Sequence, residues 1–154
     1  MDHRRPYPAG VGTGALSDLP RWARDLLEEG RVARLGFVDD ADHPRVLPVT
    51  YALAEDALWS AVDEKPKTAP EPARLRYLRR RPDAALTVDR YDDDWGRLAW
   101  VQALGEVAIV DAADAPGAME ALRAKYEQYR ASAPPGPLIR LRPRRLLWWS
   151  ARPS

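Results

Sequence analysis

The chain has 154 residues, enough for one domain with its own core, and is 45% hydrophobic and 31% charged with a net charge of +1. That balance gives no overall pull toward nucleic acid. The absence of cysteine excludes a disulfide framework and thiolate chemistry, and two histidines, His3 and His43, are too few and too far apart for a zinc site. No apolar run approaches the roughly 20 residues of a membrane-spanning helix, and the first residues lack the apolar stretch of a signal peptide, so the expected location is the cytoplasm.

Residues 1–16 carry Pro6, Pro8, Gly10, Gly12 and Gly14 and read as a flexible arm ahead of a single domain over 17–154. Ser17 is placed as an N-cap with Pro20 in the first turn. Leu19, Trp22, Ala23, Leu26 and Leu27 then follow helical spacing up to Gly30. From Val32 the pattern turns to strands. Val32 to Val38 is short and apolar, and Asp39 to His43 is a turn cluster. Arg45 to Leu53 alternates, with Leu47, Val49, Tyr51 and Leu53 on one face and Val46, Pro48, Thr50 and Ala52 on the other. Pro48 has no N–H for a ladder and marks an edge, bulge or break. With Ala57 to Val62 these segments read as a three-stranded antiparallel meander.

The last strand runs into Asp63-Glu-Lys-Pro-Lys-Thr68. Lysine occurs only at 65, 67 and 125, so two of three fall in this one loop. An ammonium is a compact charge suited to a phosphate oxygen, Pro66 stiffens the loop and Thr68 adds a donor. The segment reads either as an anion site or as a solvated turn. The helix that follows, from Pro72 to Arg81, has Leu75 and Leu78 as its apolar stripe and arginines elsewhere, a solvated basic face or an anion-steering one.

Ala84 to Asp89 is another strand. The loop Tyr91-Asp-Asp-Asp-Trp-Gly96 has acidic residues pointing to different sides, which does not predict a metal site. Leu98 to Val110 is a long strand bent at Gly105, with Leu98, Trp100, Gln102 and Leu104 on one face. Asp114 is placed as the cap of a helix over 117–130 carrying Met119, Leu122, Tyr126 and Tyr129. Two last strands, 138–141 and 146–150, close the chain. Short antiparallel strands with few helices give a mainly β, α+β fold: a closed or partly closed barrel. No nucleophile-elbow motif, paired-carboxylate signature or His/Cys pair is present.

Five segments carry a resemblance: Ala33-Arg-Leu-Gly-Phe-Val-Asp39, Arg45-Val-Leu-Pro-Val-Thr-Tyr51, Ser60-Ala-Val-Asp-Glu-Lys-Pro-Lys-Thr68, Leu86-Thr-Val-Asp-Arg-Tyr-Asp-Asp-Asp-Trp95 and Lys125-Tyr-Glu-Gln-Tyr129. With the late Trp148-Trp-Ser150 they resemble the split-barrel flavin and deazaflavin oxidoreductases named for pyridoxamine 5′-phosphate oxidase, over roughly residues 17–150. The Val-Asp-x-Lys-Pro-Lys and Tyr-Asp-x-Asp-Trp segments look like the subgroup dependent on coenzyme F420.

The resemblance implies a six- to seven-stranded antiparallel split barrel with flanking helices, and a homodimer with two cofactor sites at the subunit interface. It implies that Lys65, Pro66, Lys67 and Thr68 meet the cofactor phosphate. Leu47, Pro48, Val49 and Thr50, with Ser60, Ala61 and Val62, would lie against the ring, and Trp95 would approach from the other subunit. The activity implied is hydride transfer between coenzyme F420 and a small conjugated or heteroaromatic substrate, without nucleic acid, membrane or metal as partner. FMN is the alternative cofactor, and a non-catalytic binder of a cofactor or tetrapyrrole is the alternative role. Tyr51 and Trp95 are candidates for shaping the substrate pocket, Tyr51 either as a proton donor or as a core tyrosine. The chain departs from the family pattern where Ala69-Pro-Glu-Pro72 intervenes and Arg76-Tyr-Leu78 replaces an Arg-Asn-Ile segment, a change that bears on which helix groups reach the phosphate.

Overall fold

Alternation puts one apolar row of each strand on a shared face, and eight antiparallel strands curl that face inward. The computed structural model describes residues 9–12, 14–62 and 71–152. The strands are β1 (Ala9–Gly12), β2 (Ala33–Val38), β3 (Pro44–Val49), β4 (Ala52–Ala54), β5 (Ala57–Ala61), β6 (Asp83–Arg90), β7 (Ala99–Val110) and β8 (Leu138–Ser150). The helices are α1 (Arg21–Glu29), α2 (Ala73–Arg80), α3 (Pro116–Lys125) and α4 (Glu127–Ala131). The sheet runs β3-β2-β6-β7-β8-β5-β4, and β1 pairs with the second half of β8. This is an antiparallel split barrel with flanking helices.

The split itself was not legible as a meander. β2 and β3 form one hairpin and β4 and β5 another, but β3 and β4 stand at opposite edges of the sheet. Thr50 and Tyr51 carry the chain across between them. Pro48 is therefore tolerated because β3 is an edge strand, pairing only with β2. The β4–β5 turn is a two-residue connection with Glu55 and Asp56 both left-handed, at φ 52° and 59°, as a tight hairpin demands.

Two apolar clusters flank the sheet. Leu35, Leu58, Leu86, Val101, Leu141 and Leu146 fill the curl and receive Ala23 and Leu27 of α1 and Leu75 and Leu78 of α2. On the outside, Trp59, Ala61 and Leu138 pack against Ala118 and Leu122 of α3 and against Tyr126 and Tyr129. β5 is buried along its whole length because its two faces serve the two clusters.

The arginines of α2 are not a free basic face. Arg76 pairs with Asp40 at 3.1 Å, Arg81 with Asp42 at 3.0 Å and Arg79 with Glu71, so the turn after β2 and the residues just ahead of α2 neutralise much of the helix. In that turn the Asp39 carboxylate accepts the N–H groups of His43 and Ala41. These bonds, His43's first, hold its carboxyl below the usual range.

Several boundaries differ from expectation. Ser17 lies in a 3-10 turn, Leu16–Asp18, and Pro20 takes the N-cap position of α1. Residues 9–12 are not an unpacked arm: Gly10 and Gly12 lie opposite Leu146–Trp148, leaving room for the Trp148 ring. A Cβ on Gly10 would come within 2.0 Å of it. Leu16 is buried in the core. Asp114 belongs to a 3-10 turn and Ala115 is the N-cap of α3, which stops at Lys125. Tyr126 is extended, and α4 follows as a separate short helix. The last two strands are one. Pro143 sits where the β7–β8 register shifts, opposite Gly105, so its missing N–H costs no ladder bond there. Gly105 is required at this bulge because a Cβ would approach the Arg142 carbonyl oxygen to 2.1 Å.

Candidate functional site

At the open side of the barrel, the end of β3 and the end of β5 face the first turn of α2. They enclose a pocket of about 240 Å³ lined by Val32, Pro48, Val49, Thr50, Ala61 and Arg74. Its walls are apolar except for one hydroxyl and one guanidinium. The Arg74 Nε is buried and has no hydrogen-bond partner among the described residues. A buried cation group without a partner is costly, and an anion or polar group in the pocket would offset that cost.

Thr50 is held from the other side. Its Oγ1 lies 2.6 Å from the Tyr129 hydroxyl. The Tyr129 ring packs edge-on against Tyr126, with centroids 5.5 Å apart. The Tyr126 hydroxyl accepts the Tyr51 N–H at 3.1 Å and faces the carbonyl oxygens of Arg31 at 2.9 Å and Tyr51 at 3.0 Å.

Four of the residues expected at the ring thus meet in one pocket: Pro48, Val49, Thr50 and Ala61. Three do not line it. Leu47 is half-buried against the core. Ser60 and Val62 are 3% and 4% exposed, on the opposite face of β5 from Ala61. The Ser60 Oγ has no partner among the described residues. Lys65, Pro66, Lys67 and Thr68 lie outside the described residues, between Val62 and the helix that brings Arg74.

Tyr51 is a core residue and does not line the pocket. It is fully buried, its hydroxyl donates to the Leu27 carbonyl oxygen, and burial raises its pKa. The Lys125 Nζ covers its ring face at 3.8 Å from the centroid. Trp95 is 70% exposed, in a 3-10 turn where Asp94 accepts the Gly96 N–H, and it does not line the pocket of its own chain. Around it Asp92 pairs with Arg97 and Asp94 with Arg152. Among the described residues no group of three or more His, Cys, Asp or Glu is placed to hold a metal.

Sequence reading missed Arg74 and Tyr129. Arg74 was one of several arginines on a basic helix, and its signal was its place in the first turn after the Lys-Pro-Lys loop. Tyr129 read as an apolar-face residue of one helix over 117–130, and nothing local links it to Thr50. A larger concavity of about 460 Å³ lies between α1, α3 and the β4–β5 turn, with Arg24, Glu28, Glu55, Asp56 and Lys125. Arg24 and Glu28 there are paired with each other at 2.9 Å, and the amine of Lys125 is turned to the Tyr51 ring.

No curated protein matches the chain. Among solved structures, a conserved hypothetical protein of Mycobacterium tuberculosis is similar with a TM-score of 0.68 at 17% identity, over 83% of this chain and 82% of the other. A FAD-binding protein of Mesorhizobium loti gives 0.64 at 15% identity, over 92% and 96%. A heme binding protein of Mycobacterium smegmatis gives 0.65 at 19%, over 84% of this chain and 54% of that longer one. At these identities the likeness establishes the shared fold. Residues 21–139, most of the chain and the whole of the pocket just described, match the pyridoxamine 5′-phosphate oxidase family, and the protein belongs to that family.

Proposed function

We propose that the protein is an oxidoreductase of the deazaflavin-dependent kind, transferring a hydride between coenzyme F420 and a small conjugated or heteroaromatic substrate. The observation that carries this reading is the Arg74 Nε, buried without a partner among the described residues at an apolar pocket built by Pro48, Val49, Thr50 and Ala61, on the helix that follows Lys65 and Lys67 in the sequence. The donor set fits a phosphorylated planar cofactor: apolar walls for a ring, a hydroxyl at its polar edge, and cations for the phosphate. When bound, the cofactor supplies the two-electron chemistry. This chain's residues bind and orient it. Lys65, Lys67 and Arg74 neutralise the phosphate, and Pro48, Val49 and Ala61 exclude water from one side.

A volume of about 240 Å³ is smaller than a site enclosing a whole cofactor of this size, for which about 300–1,000 Å³ is usual. A second subunit completing the site fits that shortfall, and the exposed Trp95 is the residue we assign to it across a homodimer interface. FMN is the second reading, favoured by the family and by the FAD-binding relative from Mesorhizobium loti. A tetrapyrrole ligand draws support from the heme binding relative alone, and no histidine lines the pocket.

Titration of the protein with coenzyme F420 and FMN side by side, followed by tryptophan fluorescence, tests the assignment. Binding of F420 in preference to FMN is expected. Lys65→Ala/Lys67→Ala should weaken it at least tenfold, since each charge-assisted contact contributes about 1.5–3 kcal/mol. Preference for FMN would move the protein to the second reading, and unaltered binding by the double variant would remove the phosphate assignment.

A further inference from the structure

We propose that Tyr129 is a positioning residue for the pocket: it holds the Thr50 hydroxyl at the pocket wall, and through Thr50 it selects ligands that present a polar ring atom there. The inference rests on reading this pocket as the cofactor site.

Thr50 lies outside both β3 and β4, so no strand ladder fixes it. A threonine hydroxyl in such a crossing has other local partners available, its own backbone neighbours among them. The 2.6 Å bond to Tyr129 decides between them. Tyr129 is itself held: it is 8% exposed and packed edge-on against Tyr126. Tyr126 in turn binds the backbone of Tyr51, next to Thr50. Two tyrosines therefore clamp one dipeptide, Tyr126 by the main chain of Tyr51 and Tyr129 by the side chain of Thr50. The break between α3 and α4 at Tyr126 lets both rings reach the β3–β4 crossing.

A hydroxyl has one donor and two acceptor positions. Whichever oxygen donates in the Thr50–Tyr129 bond, Thr50 keeps hydrogen-bonding capacity, in a wall whose other residues besides Arg74 are the apolar Val32, Pro48, Val49 and Ala61. A ligand placing a carbonyl, ring N–H or ring nitrogen at that point satisfies it, whereas a purely apolar edge leaves it unpaired. Discrimination by a buried polar group is stronger than discrimination by an apolar wall.

The test is a double-mutant cycle on the full chain, with Thr50→Val, Tyr129→Phe and both together. Each variant is titrated with coenzyme F420 and with FMN and followed by tryptophan fluorescence, with a melting curve recorded alongside. Each single variant should lose roughly three- to tenfold in affinity for the preferred probe, the range of one neutral hydrogen bond. The double variant should lose no more than Thr50→Val alone, and Thr50→Ser should stay close to wild type. Losses that add in the double variant would overturn the proposal, because Tyr129 would then act independently of Thr50. A Tyr129→Phe protein with a lowered melting temperature and unchanged affinity would also overturn it, making the tyrosine structural only. In either case lysine-dependent binding of the probe by wild type would leave the cofactor reading standing. If wild type binds neither probe, that reading falls and this inference with it.

Discussion

Lys125→Met should stabilise the protein, and most strongly at neutral pH. The Lys125 Nζ is buried without a hydrogen-bond partner among the described residues. Burial, reinforced by the nearby Arg31 charge, pulls its pKa from 10.5 down to about 8, with Glu28 acting weakly the other way. The folded value lies below the unfolded one. Below pH 8 both states hold the proton and the fold carries the cost of a desolvated ammonium. Between pH 8 and 10.5 the folded state releases its proton first, so stability rises with pH. The shift from 10.5 to about 8 corresponds to an upper bound of about 3–4 kcal/mol. The site is partly open and the Tyr51 and Tyr126 rings, at 3.8 and 5.6 Å, attract the charge, so about 1–2 kcal/mol is the working figure. Methionine keeps the stem and removes the charge. Its melting temperature at pH 7 should exceed wild type by about 3–6 °C. The assay is circular dichroism melting of both proteins at pH 7, 8, 9 and 10. The gap between the two curves isolates Lys125 from the tyrosines and should close as pH rises. A variant less stable than wild type at pH 7, with a gap that holds constant or narrows toward pH 10, would refute the reasoning. The aromatic attraction would then outweigh the burial cost.

Three further outcomes are expected. Gly105→Ala should lower stability by about 2–4 kcal/mol because its Cβ meets the Arg142 backbone carbonyl oxygen. Gly36→Ala, whose nearest neighbours are 3.8 Å away, should be nearly neutral, and denaturant titration of the pair compares them. Tyr51→Phe should cost about 1–2 kcal/mol by leaving the Leu27 carbonyl oxygen unpaired, while probe affinity by fluorescence titration stays at the wild-type value; a loss of affinity without loss of stability would return Tyr51 to the pocket. Mixing inactive Trp95→Ala subunits with inactive Lys65→Ala/Lys67→Ala subunits should restore turnover at one site per heterodimer. Subunit exchange without recovery would place Trp95 outside the partner's site.

The sequence by itself determined the local grammar of the fold. Alternation marked the buried face of the segment over 45–51, as Val49 and Tyr51 against Val46 and Pro48 show. Pro48 announced an edge, bulge or break and Gly105 a bend, because a missing N–H and a missing Cβ have consequences wherever they stand. The Leu75–Leu78 spacing fixed the buried stripe of α2. Tertiary structure alone decided which strands are neighbours. The alternation across 45–53 continues through Thr50 and Tyr51, so periodicity carried no sign that β3 and β4 part to opposite edges. Sheet closure depends on pairings distant in sequence, and those also let Pro143 pass within one strand opposite Gly105. The site followed the same division. Pro48, Val49, Thr50 and Ala61 were legible from their segments. The Thr50–Tyr129 contact spans 79 residues, and the burial of the Arg74 Nε depends on how α2 packs. A side chain's chemistry is written in the sequence, but its partners are set by the elements that packing brings together.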